Sequence, residues 1–449
     1  MDPITRRKFV KQSAAASLGA GLITQPFSIL AQGSALRRIN IAVMGIRSRG
    51  KALAEAFAAQ KDCEVTWLCE VDDRYFEATL QAIEPHQKRK PKLEKDIRKV
   101  LEDKDLDALV IAAPDHWHAP AAIMACQAGK HVYVEKPCSH NPREGELLVT
   151  ASRQYNRVVQ MGNQRRSWPN VVKAIQELRS GIIGEVYYAR SWYANRRQPI
   201  GFGKEVVVPD YLDFDLWQGP APRRPYRDNI HPYEWHWFWH WGTGEALNNG
   251  THFVDLMRWG LGVNYPTRVV STGGRYHYRD DWETPDTQVI SLDFESNKTM
   301  TWESRSCNPN PNHGTSAGTM FYGEKGAMLI PSGNEYTVFD DSRQAKIVKK
   351  VEASDDGGAS PDQLNTVGPG RWFDGLHVYN FLQAIREGTD LNSEIEGGHK
   401  SVLLCQLGNI AYRTGRTLNI DQRNGHIVGD PEAMKLWSRE YEKGWEIRA

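Results

Sequence analysis

The sequence predicts an α/β protein: a doubly wound parallel sheet in the N-terminal part, then an α+β part with a mainly antiparallel sheet. Three observations carry this. Short apolar runs alternate with helical patterns from about residue 38 to about 160, as strands and crossover helices do in a parallel sheet. The first run ends in a glycine-bounded turn that opens a helix. Beyond residue 161 the texture changes to two-residue alternation, which marks half-buried strands.

A chain of 449 residues is long enough for two domains. With 56 basic and 55 acidic side chains it is close to neutral, which argues against nucleic acid as its main partner. The six cysteines are scattered without a CxxC pair and give no metal or disulfide framework. At the N-terminus, Thr5-Arg6-Arg7-Lys8-Phe9-Val10-Lys11 precedes a weakly apolar run, 13–23, too short to span a bilayer. The Arg pair followed by Phe resembles a twin-arginine export signal, so residues 1–35 are expected to be signal and linker for a periplasmic protein. No cysteine follows the apolar run until Cys63, which argues against a lipid anchor, and no other stretch is apolar enough to cross a membrane.

Residues 38–44, RINIAVM, read as the first strand, followed by Gly45-Ile46-Arg47-Ser48-Arg49-Gly50 and a helix over 52–58. Strand, glycine-bounded turn and helix are the context of a dinucleotide fingerprint, the Rossmann arrangement. Gly45 is expected to make the tight turn and Gly50 the close helix–strand packing. Arg47 replaces the middle glycine, so Arg47 or Ser48 is expected to meet a phosphate beside the helix N-terminus. The second strand, 65–69, ends in Glu70, the type of residue that binds the adenosine ribose hydroxyls. That favours NAD over NADP, although Arg74 close by keeps NADP open. The charge-rich stretch 87–105 reads as a solvated helix and loop. Residues 107–113 form the next strand and lead into Asp115-His116-Trp117-His118, then a helix over 119–128. The strand 131–134 ends in Glu135-Lys136-Pro137 at the carboxyl edge of the sheet, where ligands of such sheets bind. Lys136, pinned by a residue with no backbone donor, is placed to meet a cofactor. Residues 36–160 are thus expected to be the NAD-binding domain.

The remainder, 161–449, is expected to be the substrate domain. It reads as a helix over 171–179, a strand over 185–193, an irregular Trp-rich loop over 194–243 and a helix over 247–261. Six alternating runs follow, at 268–276, 286–295, 298–305, 319–322, 327–330 and 336–339; then come a flexible loop, 352–370, and closing helices at 378–387 and 400–414. Flat aromatic faces suit the C–H face of a pyranose and Arg or Asn its hydroxyls, so the 194–243 loop reads as a carbohydrate cleft. Tyr193, Arg196 and Trp239 are the expected contacts. His236 and His240 have helical ligand spacing, but they lack an HExxH glutamate and no metal is expected. No GxSxG elbow points to a serine hydrolase.

The Gly45–Gly50 turn, APDHWHA at 113–119, VEKP at 134–137, MGNQRRS at 161–167, GTGEALNNGTHFVD at 242–255 and YGEKGAM at 322–328 occur in order. Together they resemble the glucose–fructose oxidoreductase/inositol dehydrogenase/MocA family, over nearly all of the chain after the signal. Glycoside hydrolase family 109, which cleaves glycosides through transient oxidation by bound NAD, is similar too. The resemblance implies that Lys136 is the catalytic or substrate-orienting lysine and Glu135 a contact of the nicotinamide ribose region. It implies that His252 is the proton acceptor, that Asp115 and His118 lie on a cofactor-contacting loop, and that Arg165 lies near the active site. The family's Asp four residues before the histidine is Asn248 here, expected to hydrogen-bond the sugar and to leave His252 less basic. Three functions follow: an NAD-dependent dehydrogenase of a sugar or glycoside, a redox-neutral glycoside-cleaving enzyme, or a non-catalytic sugar-binding protein. Intact Lys136 and His252 argue against the last. An external electron acceptor is a conceivable partner for an exported dehydrogenase, and any homo-oligomer is expected to form through the C-terminal sheet.

Overall fold

Six strands make the first sheet: β1 (Ile39–Met44), β2 (Cys63–Cys69), β3 (Lys92–Glu94), β4 (Ala108–Ile111), β5 (His131–Val134) and β6 (Val159–Met161). All pair in parallel, in the order β3-β2-β1-β4-β5-β6. β4 is wholly buried and β1 nearly so, because helices cover both faces of the sheet; hence the unbroken apolar runs. The strand order reverses at β1, which pairs with both β2 and β4, so a crevice opens at their carboxyl ends. The structure, a computed structural model, describes residues 38–295, 297–353 and 371–448. The export segment and nearly all of the 352–370 loop lie outside these residues.

The stretch 87–105 departs from expectation. It holds β3 and a short helix, Ile97–Leu101, whose N-cap Asp96 accepts from the Arg98 backbone. An edge strand of three residues, two of them exposed, carries no apolar signature.

The second sheet has ten strands: β7 (Val186–Ala194), β8 (Arg268–Gly274), β9 (Thr287–Phe294), β10 (Lys298–Arg305), β11 (Ala317–Gly323), β12 (Gly326–Pro331), β13 (Tyr336–Asp340), β14 (Ile347–Val351), β15 (Leu418–Ile420) and β16 (Ile427–Val428). Their order is β14-β13-β12-β11-β7-β10-β9-β8-β15-β16, antiparallel except where β10 runs parallel to β7. β10 alternates strictly, with Met300, Trp302 and Ser304 turned inward. β14, β15 and β16 are short and lie toward the ends of the sheet, and their sequences gave no sign of them.

Two C-terminal helices tie the sheets together. Ile395–Thr414 is buried along most of its length and sets Gly408 against Ile290 of the second sheet and Gly398 against Met161 of the first. Arg371–Glu387 returns to the first sheet, where Phe381 meets Phe57 and Tyr133 edge-on at 6.1 and 5.9 Å. Its Val378, Phe381 and Leu382 belong to the same buried cluster as Val43, Leu53 and Val110. A third cluster lies in the Trp-rich loop, where Phe214 stacks on Trp217 at 5.4 Å and meets Tyr226 edge-on at 5.0 Å.

The turn after β1 is the tightest point of the first sheet. A Cβ on Gly50 would lie 1.6 Å from the carbonyl oxygen of Gly45, which itself has φ +77°. Gly50→Ala is therefore expected to destabilise the protein by at least about 3 kcal/mol, the upper end of ordinary overpacking costs, as read by denaturant unfolding. A loss below about 1 kcal/mol would show that the turn can relax.

Candidate active site

A cleft of about 1320 Å³ opens at the carboxyl ends of the first sheet and continues to the second half of the chain. It exceeds the roughly 300–1,000 Å³ of ordinary ligand pockets, leaving room for a dinucleotide and a second small molecule. Gly45, Arg47, Ser48 and Gly50 line one end, with the helix Ser48–Ala58 presenting its free N–H groups there. Glu70 closes β2 beside this turn. Its Oε2 accepts from the Ile46 backbone at 2.9 Å and its Oε1 from Val71 and Asp72 at 2.8 and 3.1 Å. Burial raises the Glu70 pKa against the pull of these three donors. A turn with no room for side chains, a helix N-terminus and a buried carboxylate that keeps acceptor capacity fit a dinucleotide.

The middle of the cleft is organised by Arg49, which the sequence did not single out. Its Nε donates to Glu135 at 2.7 Å and its two terminal nitrogens to Asp374 at 2.7 and 2.8 Å. Glu135 also accepts from Gln164 Nε2 at 2.9 Å, and a Cβ on Gly162 would approach its carboxyl carbon to 2.8 Å. Glu135 is thus fixed from three directions.

Lys136 and His252 both line the cleft beyond this point. Lys136 Nζ donates to the backbone oxygen of Asn248 at 2.5 Å and reaches its side-chain Oδ1 at 3.4 Å. Burial lowers the lysine pKa from its ordinary value, opposed by the charges of Glu135, Asp115 and Glu245. His252 is held well below the ordinary imidazole range by burial, then by Lys136, Arg165 and Arg49. Its Nδ1 is sealed from solvent and has no hydrogen-bond partner among the described residues. Asn248 faces Lys136 through Oδ1 and Glu245 Oε1 through Nδ2 at 3.4 Å, so its recorded bonds go to these two and not to His252. Asp115 accepts from the Thr243 hydroxyl, and burial raises its pKa. His118 lines the cleft while its ring sits between the carbonyls of Pro137 and Ala113, at 2.6 and 2.7 Å.

Four expected site residues do not line the cleft. Arg165 is buried against the second half, donating to the Pro331 and Ser332 carbonyls at 3.2 and 2.5 Å; burial lowers its pKa to about 9. Tyr193 is fully buried in β7 and accepts from Asn195 at 2.7 Å. Arg196 lines a separate depression with His277 and Asn310. Trp239 lies under the Arg413 guanidinium, 4.9 Å from its ring centre. The reasons differ: Arg165 is buried in the turn after β6, Tyr193 lies on the packed inner face of β7, Trp239 is covered by Arg413, and Arg196 is exposed at its own depression. Of the aromatic loop, only Leu216, Trp217, His231, Pro232, Tyr233, Trp235 and His236 reach the cleft. The histidines do not converge, for His231 Nε2 meets Asp72, His236 Nδ1 the Tyr233 carbonyl and His240 Nε2 the Pro222 carbonyl. Among the described residues no cluster of three metal-binding side chains occurs. Arg197 and Glu245, a buried ion pair at 2.6 Å behind the site, and Asp374 went unrecognised because only folding brings them there.

Sheet, turn and cleft define a Rossmann-type oxidoreductase that binds a nicotinamide dinucleotide. Three family models match in order: an oxidoreductase family NAD-binding Rossmann fold over residues 19–163, a GFO/IDH/MocA C-terminal domain over 217–329, and an oxidoreductase family C-terminal α/β domain over 374–447. The chain belongs to the Gfo/Idh/MocA family. A glycosyl hydrolase family 109 protein of Saccharopolyspora erythraea is 27% identical over 257 residues, 51% of this chain and 56% of that protein. An alpha-N-acetylgalactosaminidase of Shewanella oneidensis is 24% identical over 216 residues, 43% of this chain and 46% of that protein. The chain therefore spans about half the length of the curated relatives it matches. In fold it is similar to levoglucosan dehydrogenase in complex with NADH and levoglucosan, with a TM-score of 0.64 at 20% identity, covering 86% of this chain and 100% of that one. A putative myo-inositol dehydrogenase of Sinorhizobium meliloti gives 0.61 at 16% identity, covering 85% and 100%.

Removing Arg49 would strand two buried carboxylates. Arg49→Met is expected to cost about 3–5 kcal/mol, the range for breaking a buried ion pair. Asp374 already stands above its ordinary pKa, burial outweighing Arg49, and without the guanidinium it rises further. A carboxyl that binds its proton more tightly when folded loses stability as pH rises. The deficit should therefore be larger at pH 8 than at pH 5 in paired unfolding curves, and an equal deficit would place the cost elsewhere.

Proposed function

We propose that the protein is an NAD-dependent oxidoreductase acting on a hydroxyl of a sugar or glycoside. The observation that carries this is the placement of Lys136: a half-buried amine at the junction of the cofactor end and the second half, anchored on Asn248 and in the field of three carboxylates. Gly45, Arg47, Ser48, Gly50 and Glu70 would hold the dinucleotide, which supplies the hydride acceptor when bound. Glu70 favours ribose hydroxyls over a 2′-phosphate, and Arg74 is withdrawn by Asp72, to which it donates at 2.9 and 2.7 Å. Both support NAD over NADP.

The charges divide the proton work. Lys136 feels three carboxylates against one cation, Arg49, whereas His252 feels cations alone, so a proton leaving the substrate hydroxyl is better held on Lys136 Nζ than on the imidazole. His252 stays neutral and, with Nδ1 sealed, offers Nε2 to orient the hydroxyl. The Asn248 carbonyl fixes Nζ in place. Trp217, Tyr233 and Trp235 line the cleft and help to exclude water from it.

The glycosyl hydrolase family 109 relatives favour a second reading, redox-neutral glycoside cleavage, in which the oxidised substrate loses its aglycone, adds water and is reduced again. The Arg6-Arg7 segment is proposed to direct export, and with it a bound cofactor regenerated either by an external acceptor or within the cycle. Periplasmic protein carrying nicotinamide, mixed with its glycoside, should show near-ultraviolet NADH absorbance without added cofactor. A signal that persists until an acceptor is supplied marks the dehydrogenase; decay with release of aglycone marks the cleaving enzyme. Absence of any signal across a glycoside panel would refute both.

Lys136→Ala and His252→Ala should each lower turnover by roughly 10²–10⁴-fold, the usual scale for a lost acid–base group, while leaving NAD affinity nearly intact. Because Lys136 must be free of its proton to accept another, activity should rise with pH through its lowered pKa, below the ordinary 10.5. In Asn248→Asp the added carboxylate favours the protonated amine, so that limb should move to higher pH. A limb that stays in place would assign the proton to another group.

A further inference from the structure

The Trp-rich loop does more than pack. Its residues 211–213 pair with the tail of β2: Asp73 N donates to the Tyr211 carbonyl and Asp213 N to the Val71 carbonyl, both at 2.9 Å. Arg74 lies 3.7 Å above the Tyr211 ring. Further on, His231 Nε2 meets Asp72 Oδ2 at 2.8 Å, both side chains being nearly inaccessible, at 6% and 0%. Asp72 thus holds Arg74 and His231 at once, one residue from Val71 and two from Glu70. Two residues later the Tyr233 ring packs near Arg47, whose guanidinium lies 5.8 Å from its centre, and its hydroxyl accepts from Arg197 at 3.2 Å. His236 then stacks on Trp235 at 3.6 Å, and Trp237 on Trp282 at 4.0 Å fixes the far end. His231, Tyr233, Trp235 and His236 line the same cleft as Gly45, Arg47 and Ser48.

We propose that residues 231–237 are a strap that closes the dinucleotide site, latched on Asp72 and Arg47, so that the cofactor exchanges only when the strap lets go. The inference rests on the NAD reading above. A ligand on the Gly45–Gly50 turn shares its cleft with a segment held by a hydrogen bond to a buried carboxylate at one point and an aromatic–guanidinium contact at the next. Both contacts join groups of the chain itself, so the barrier applies to entry as well as exit. That separates a strap from a simple contact, whose loss speeds departure alone.

The test follows NADH binding to the full chain, with no sugar present, by energy transfer from tryptophan in stopped-flow association and in displacement by excess NAD. His231→Ala and Tyr233→Ala should each speed release about tenfold or more, the scale of one lost charge-assisted contact, and should speed association as well. Tyr233→Phe keeps the ring near Arg47 and should exchange almost as slowly as the unaltered protein. Thermal unfolding checks that each variant is folded; if His231→Ala is not, the Tyr233 pair decides. Unchanged rates, or faster release with unchanged association, would overturn the strap while leaving the NAD reading intact. Failure of the unaltered protein to bind NADH would overturn both. A slow, strap-dependent exchange stands even if no glycoside is ever turned over.

Discussion

The position of the reactive groups depends on one buried interaction, the fork of Arg49 between Glu135 and Asp374. Arg49 rises from the first helix, Glu135 ends β5, and Asp374 stands on a helix more than two hundred residues later in the chain. A guanidinium offers five donors in a fixed plane, which lets one side chain fix two carboxylates in defined directions. Lys136 follows Glu135 directly, so the fork also sets where the amine emerges. Because both carboxylates are buried and Arg49 partly so, the arrangement tolerates no missing guanidinium: a lone buried charge costs more than the pair contributes.

The same dielectric argument sorts the chemistry. Desolvation presses on Lys136 and His252 alike, but their neighbours differ in sign. The amine feels mostly carboxylates and the imidazole only cations. Replacement of the family's aspartate by Asn248 removes a charge that would have aided a cationic histidine, and Asn248 itself turns toward Lys136 and Glu245. In the proposed mechanism the proton-handling role therefore falls to the lysine, through neighbours and not through any change in the two residues themselves.

The aromatic loop shows how one composition serves two purposes. Most of its tryptophans and tyrosines face one another in a third core, which frees few of them for a ligand. The edge that remains, from His231 to Trp237, is held by that core at one side and by Asp72 and Arg47 at the other. Rigid packing behind a ligand-facing edge is what a strap needs, since a loose loop would not resist opening.

Local sequence was sufficient for much of this protein. The parallel sheet was legible because strands buried on both faces must be apolar throughout. The Gly45–Gly50 turn was legible because only glycine fits its contacts, and Glu70 and Lys136 because each follows the end of a recognisable strand, whereas His252 was reached only through the family resemblance. Strand β3 was not, since an exposed edge needs no apolar residues. Tertiary structure alone decided the rest. Tyr193, Arg196 and Trp239 have the right chemistry for a sugar site, but the direction of a side chain is set by which face its element buries, and that depends on partners far away in the chain. Asp374, Arg197, Glu245 and the His231–Asp72 contact come from the opposite case: charges unremarkable in sequence become decisive once the fold removes water from around them and leaves them only one another and a few polar neighbours.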